Sequence, residues 1–118
     1  MDWKFRTDQP IYSQLVEQIK LAIVSGVFAP GMRMASVRDM AAEAGVNPNT
    51  LQRALQELER QGLVYSQRTS GRFVTEDTKV IDETKRALAQ GQLAAFLDAM
   101  KKLGYERAEI IALLEEEA

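Results

Sequence analysis

Ile11, Leu15, Ile19 and Ile23 recur every four residues, with Leu21, Ala22 and Val27 alongside. That spacing draws one apolar stripe along a helix. Pro10 suits its first turn, where a missing N–H costs nothing, and Gly26 suits the C′ position that ends it. Phe28-Ala-Pro-Gly31 then reads as a turn. Ser36 is a helix N-cap, and Asp39 three residues on completes an approximate capping box. Val37, Met40, Ala41 and Ala44 form the inner face of this second helix, and Gly45 ends it. Asn47 caps a third helix with Pro48 at its first position. Its inner face is Leu51, Ala54, Leu55 and Leu58, and Gly62 closes it. Asn49, Thr50, Gln52, Arg53 and Gln56 are left for its exposed face.

Two short helices joined by a tight glycine turn, over Ser36–Val64, predict a helix-turn-helix, a device that lays its second helix in the DNA major groove. Strand character begins directly after it: Leu63–Gln67, a Thr69-Ser70-Gly71 turn, and a return over Arg72–Thr75. A hairpin in that place is a wing. Arg68 and Arg72 flank its tip, where a phosphate or minor-groove contact would use them. The composition shifts near Thr78. Val80, Ile81, Thr84, Leu88, Leu93, Phe96, Leu97, Met100 and Leu103 follow a helical period, which Gly91 interrupts, so one kinked helix or two are both open. Gly104 ends that stretch, and Tyr105–Ala118 predicts a last helix with Ile110, Ile111, Leu113 and Leu114 apolar. Such a tail cannot bury its own apolar surface and needs the first domain or another subunit. The fold class expected is therefore α+β: a winged helix-turn-helix of three helices and a hairpin over residues 1–77, then an all-helical tail over 78–118.

Composition narrows the chemistry more than it names it. The chain has 118 residues and 46% apolar content, enough for one domain and an appendage with a real core. It has no cysteine and no histidine, which removes disulfides, thiolate chemistry, the commonest metal ligand and the commonest general base. A hydrolytic triad, a metal site and a cofactor are not expected. No apolar run approaches the ~20 residues of a membrane span, and MDWKFRTDQP lacks a signal peptide's apolar region. A cytoplasmic location and no membrane partner are the expectation. Net charge is −2, unlike a non-specific DNA binder. Basic and acidic groups balance over residues 1–77, so the tail supplies the whole excess. Most of the basic groups in that first part are arginines, whose planar fork suits phosphate and guanine. Charge alone leaves ordinary solvated surface as an equal reading.

The runs QPIYSQLVEQIKLAIVSGVFAPGMRM, ASVRDMAAEAGVNPNTLQRALQELERQGLV and SGRFV, over about residues 9–76, resemble the GntR family of bacterial transcription regulators. The short helical tail resembles the YtrA-type subfamily within it, because larger relatives carry effector domains of well over a hundred residues. The resemblance implies a homodimer on an inverted-repeat operator in double-stranded DNA, usually as a repressor, often of transporter genes. It implies that Arg38 reaches the groove and that Asn47, Asn49, Thr50, Gln52 and Arg53 supply base and phosphate contacts. It implies too that Gly71 lets the wing tip approach the minor groove. Leu88, Leu93, Phe96, Leu97, Met100 and Leu103 would serve dimerisation. A small-molecule effector would bind between tail and winged domain or at the dimer interface. Two positions depart from the family pattern: Ala35 stands where proline is usual, and Thr69 replaces the first wing glycine.

Several of these residues also have a local explanation. Arg38 can pair with Glu43 or Asp39, and Arg53 with Glu57. Gln52 can be a solvated helix former, and Asn47 and Thr50 have capping and first-turn work. Met32, Met34, Met40 and Met100 read as core fillers, and Glu115-Glu116-Glu117 as a solvated end. Trp3 and Phe5 fit an edge strand, an arm packed on the other domain, or a docking point for a partner subunit. Two competing functions stand beside the regulator. A winged helix can serve protein interaction without DNA, which the neutral charge of residues 1–77 favours. Some relatives fuse such a module to a pyridoxal-phosphate-binding aminotransferase-like domain, and no such domain is expected here.

Overall fold

Each helix starts where a residue can satisfy or dispense with a free backbone N–H. In the computed structural model, which describes residues 1–117, the elements are α1 (Ile11–Val24), α2 (Val37–Ala44), α3 (Pro48–Arg60), β1 (Val64–Gln67), β2 (Gly71–Val74), α4 (Thr78–Lys102) and α5 (Arg107–Glu117). Ser36 Oγ accepts from the Asp39 N–H at 3.1 Å to open α2, and Asn47 Oδ1 accepts from the Asn49 N–H at 2.7 Å to open α3. Pro10 sits at the N-cap of α1 itself, one position before the first turn expected for it, with the extended backbone (φ −59, ψ 139) its ring allows. Gly45, between α2 and α3, holds φ +70, a left-handed turn that a side chain would resist. The two helices therefore meet at a sharp corner.

The chain divides into two compact units, Met1–Lys85 and a second from Arg86 onward. In the first, Leu15, Ile19 and Ile23 of α1 pack with Met40 and Ala41 of α2, Leu51, Leu55 and Leu58 of α3, and Leu63, Val64 and Val74 of the hairpin. Ile81, in the first turn of α4, closes the same core. Met34 joins it too, and Met32 packs on its edge. Leu21 and Val27, expected beside the α1 stripe, are instead 60% and 62% exposed. Leu21 is two residues from both Ile19 and Ile23, which at 3.6 residues per turn puts it on the opposite face. Val27 lies past the helix end; Ala22 is buried as expected, and Val16 completes the stripe.

β1 and β2 pair antiparallel, with Val64 opposite Val74 and Gln67 opposite Gly71. A third rung, which no pattern in the sequence predicts, lies beside them. Gly31 N–H donates to Val74 O at 3.0 Å, Val74 N–H to Met32 O at 2.9 Å and Met34 N–H to Arg72 O at 2.9 Å, so residues 31–34 line the other edge of β2. The N-terminal arm is not a strand and is held on its own unit. Gln14, buried, accepts from the Arg6 N–H and donates to Arg6 O, and Gln18 does the same with Lys4. Two glutamine amides one turn apart thus grip alternate residues of an extended segment. Trp3 and Phe5 stack with ring centroids 6.1 Å apart and pack against the core.

In the second unit α4 runs unbroken through Gly91, so the stretch is one helix and not two. A Cβ at Gly91 would meet nothing within 4 Å, so this glycine serves no close approach and costs about 1 kcal/mol of helix propensity. Of the apolar residues of α5 only Ile110 is fully buried, while Ile111 and Leu114 are exposed.

Candidate nucleic-acid interface

Residues 33–37 and the hairpin are the two walls of a groove of about 560 Å³, to which α3 adds Gln52. Its sides include Ser36 and Val37 from the start of α2, Gln52 from α3, and Ser66 to Arg72 from the hairpin. The local reasons are those of the fold. Capping by Asn47 sets where α3 begins, the buried Leu51 and Leu55 fix its rotation, and Gln52 is therefore turned partly outward. Gly71 opens β2 with φ +106, a left-handed conformation that frees the chain to reverse after Ser70.

The structure brings Gln52, Arg68, Gly71 and Arg72 together around this groove. Their environments differ. Arg68 is exposed at the hairpin turn and makes no ion pair among the described residues. Arg72 is tucked in: its side chain is 17% exposed and its Nε lies 3.6 Å from Glu59 Oε1 of α3. Glu59 Oε1 also accepts from Ser66 Oγ at 2.7 Å. The Arg72 Nε is buried without a hydrogen-bond partner. This arginine therefore ties the hairpin to the back of α3, work that no local pattern assigns to it.

Arg38, Asn47, Asn49, Thr50 and Arg53 do not line the groove. Arg38, in the first turn of α2, is exposed and pairs with neither Asp39 nor Glu43. Glu43 is already taken by the Met1 ammonium at 3.1 Å and the Trp3 indole N–H at 3.2 Å. The ammonium holds the Glu43 carboxyl below its ordinary pKa. Asn47 and Asn49 are exposed at the start of α3, and Thr50 is half-buried behind them. Arg53 does not pair with Glu57. Its guanidinium lies over the Tyr12 ring of α1, 4.9 Å from the centroid, a cation–π contact. Glu57 instead accepts from Arg60 Nε at 2.9 Å and from Gln61, which brings its pKa down to about 2. The same hydrogen bond raises Arg60. That cluster stands at the C-terminal end of α3, where a cation suits the helix dipole.

Arg33 is the groove residue that sequence reasoning misses. It lies beside Gly71, and only the pairing of residues 31–34 with β2 brings it there. No periodicity marks it, since an irregular segment carries no pattern of its own. The tail residues fall in two sets. Leu93, Phe96 and Leu103 are exposed, as are Ile111 and Leu114, whereas Leu88, Leu97 and Met100 are half-buried. Among the described residues no cluster of acidic, histidine or cysteine side chains could hold a metal, and no helix is long and apolar enough to cross a membrane.

Residues 11–74 match the family described as bacterial regulatory proteins, gntR family. Over 94% of this chain and 92% of its relative, the sequence is 40% identical to the HTH-type transcriptional regulator YhcF of Bacillus subtilis. It is 33% identical to the HTH-type transcriptional repressor YtrA of the same organism, over 83% of this chain and 71% of that one. A GntR family transcriptional regulator from Listeria monocytogenes superposes with a TM-score of 0.88 at 37% identity, covering 95% of this chain and 98% of that one. The AraR DNA-binding domain, solved in complex with operator ORX1, superposes with a TM-score of 0.58 at 28% identity over 64% of this chain and 96% of its own.

Proposed function

Because this chain belongs to the GntR family of bacterial regulatory proteins, as a DNA-binding transcription regulator of the YtrA type, we propose that it acts as a homodimer on an inverted-repeat operator and represses the operon it controls. The observation that carries the DNA reading is the groove between residues 33–37 and the hairpin, with Gln52 of α3 in its lining. Arginines and amides line it, and no acidic residue does, although the chain as a whole is acidic. Duplex DNA is the partner such a lining fits: Gln52 offers the donor–acceptor pair that matches an adenine edge, and Arg68 offers a fork for phosphate. Arg38, Asn47, Asn49 and Thr50 would extend that contact from the starts of α2 and α3, and Gly71 would let the tip come close to the backbone. Repression is the role that YtrA carries in its name, and control of transporter genes is the further expectation. With regulation of transcription goes a cytoplasmic site of action.

Support for the pair of subunits is the apolar surface that the tail leaves uncovered, Leu93, Phe96 and Leu103 above all, with Leu88, Leu97 and Met100 beside them. A dimer would set two recognition helices about 34–36 Å apart, one turn of the duplex. A small-molecule effector would act by changing that spacing.

Footprinting on the DNA upstream of the protein's own gene tests this directly. Two protected half-sites one helical turn apart are expected, and binding should weaken steeply with salt. Gln52→Ala should cost ~1–3 kcal/mol and relax preference at one base position. No protection at low salt would leave the winged unit as a protein-interaction module, and an equal loss on every sequence would remove Gln52 from base reading.

A further inference from the structure

Arg33 is held as firmly as a strand residue, yet its charge is unused. Its backbone bridges antiparallel to Phe73, with the Met32 carbonyl and Met34 N–H bonded to β2 on either side. Its guanidinium lies against the bare backbone of Gly71: a Cβ built there would stand 3.3 Å from Arg33 Nε and 3.5 Å from Nη2. A planar group laid along a backbone loses rotamer freedom in advance, so less remains to be lost when a ligand arrives.

Three arginines of this unit provide the contrast, while Arg38 and Arg68, like Arg33, have no ion pair among the described residues. Arg6 pairs with Asp8, Arg60 with Glu57 and Arg72 with Glu59. Among the described residues Arg33 has no ion pair, and no carboxylate lines the groove into which it is built. A guanidinium has five N–H donors. Here they face a groove that also holds Arg68 and Gln52. An oxyanion is the ligand this arrangement fits, and a base edge is less suited because the fork lies beside the hairpin and not at the outward end of α3.

We propose that Arg33 is a phosphate-contact residue, which donates to the backbone of a duplex strand running along the groove beside the hairpin. The proposal rests on the DNA reading above and adds to it a contact that arises from the segment before α2. It gives Gly71 a second role as well. Besides allowing a left-handed turn, the missing side chain leaves room for the guanidinium.

The test is a salt titration of the full chain and its Arg33→Ala and Arg33→Lys variants, on operator DNA and on an unrelated duplex. Arg33→Ala should weaken both duplexes by a similar factor and reduce the slope of log K against log salt by about 0.9, the value of one phosphate contact. Arg33→Lys should keep the slope, since the charge remains, while losing part of the affinity with the planar fork. Thermal melts of the variants should match that of the parent, because the side chain is exposed and the bridge to Phe73 is made by backbone. An unchanged slope and affinity in Arg33→Ala, with a steep slope in the parent, would overturn the proposal and leave the DNA reading standing. A loss confined to the operator, with no change in slope, would also overturn it by making Arg33 a base reader. Absence of binding by the parent would sink both.

Discussion

α3 and α5 are helices of similar length, 13 and 11 residues, with opposite fates. α3 spaces its apolar residues as Leu51, Ala54, Leu55 and Leu58, one narrow face, and its own unit covers all four. α5 carries Ile110, Ile111, Leu113 and Leu114, and only Ile110 is fully covered. An apolar face is stable when something lies on it, whichever chain provides it. The first unit closes its core with its own residues and leaves polar ones to meet a ligand. The second leaves Leu93, Phe96, Leu103, Ile111 and Leu114 open, which suits a surface whose cover is another molecule.

If that contrast holds, damage to the two units should have different consequences. Leu55 is 1% exposed at the centre of the first core. Leu55→Ala should cost about 2–5 kcal/mol, the range for a leucine-to-alanine cavity, read as a lower denaturation midpoint of the winged unit. A loss near zero would mean that this core is not closed. Phe96→Glu should act on assembly instead. Sedimentation is expected to show a shift from dimer to monomer with little change in the melting of the first unit, and an unchanged mass would break the comparison from the other side.

The smallest effect concerns how the first unit finishes α3. Glu57, bonded to Arg60 and Gln61, has its pKa depressed to about 2, below the value near 4.5 of an ordinary glutamate. A depressed carboxylate adds stability that is fully present above pH 4.5 and is lost as pH falls toward 2. The stability gap between the parent and Glu57→Gln should therefore be constant above pH 4.5 and shrink below it. Denaturation across pH 2–6 checks this, and a gap independent of pH would show that Arg60 and Gln61 hold the carboxylate no better than water does.

The arginines show where reading the chain alone reaches its limit. Spacing offers Glu57 to Arg53, yet Tyr12 lies 41 positions earlier and comes under that guanidinium only when α1 packs on α3. Arg72 looks free at a hairpin tip, but Glu59 is beside it because the hairpin folds back against α3. Arg33 has no pattern to mark it at all. The same limit applies to Trp3 and Phe5, whose place depends on two glutamine amides that grip the arm one helical turn apart.

Features that need only neighbours in the chain are legible from the sequence by itself. Caps at Ser36 and Asn47, the corner at Gly45, the inner face of α3 and the hairpin are decided by residues within a few positions of one another, because backbone hydrogen bonding and helical or strand period are local. Tertiary packing decided the rest: which edge of β2 receives residues 31–34, where the N-terminal arm lies, and which charges are spent inside the protein. Those outcomes depend on distances between segments far apart in sequence, and a long side chain such as arginine reaches whatever folding brings within a few ångströms of it.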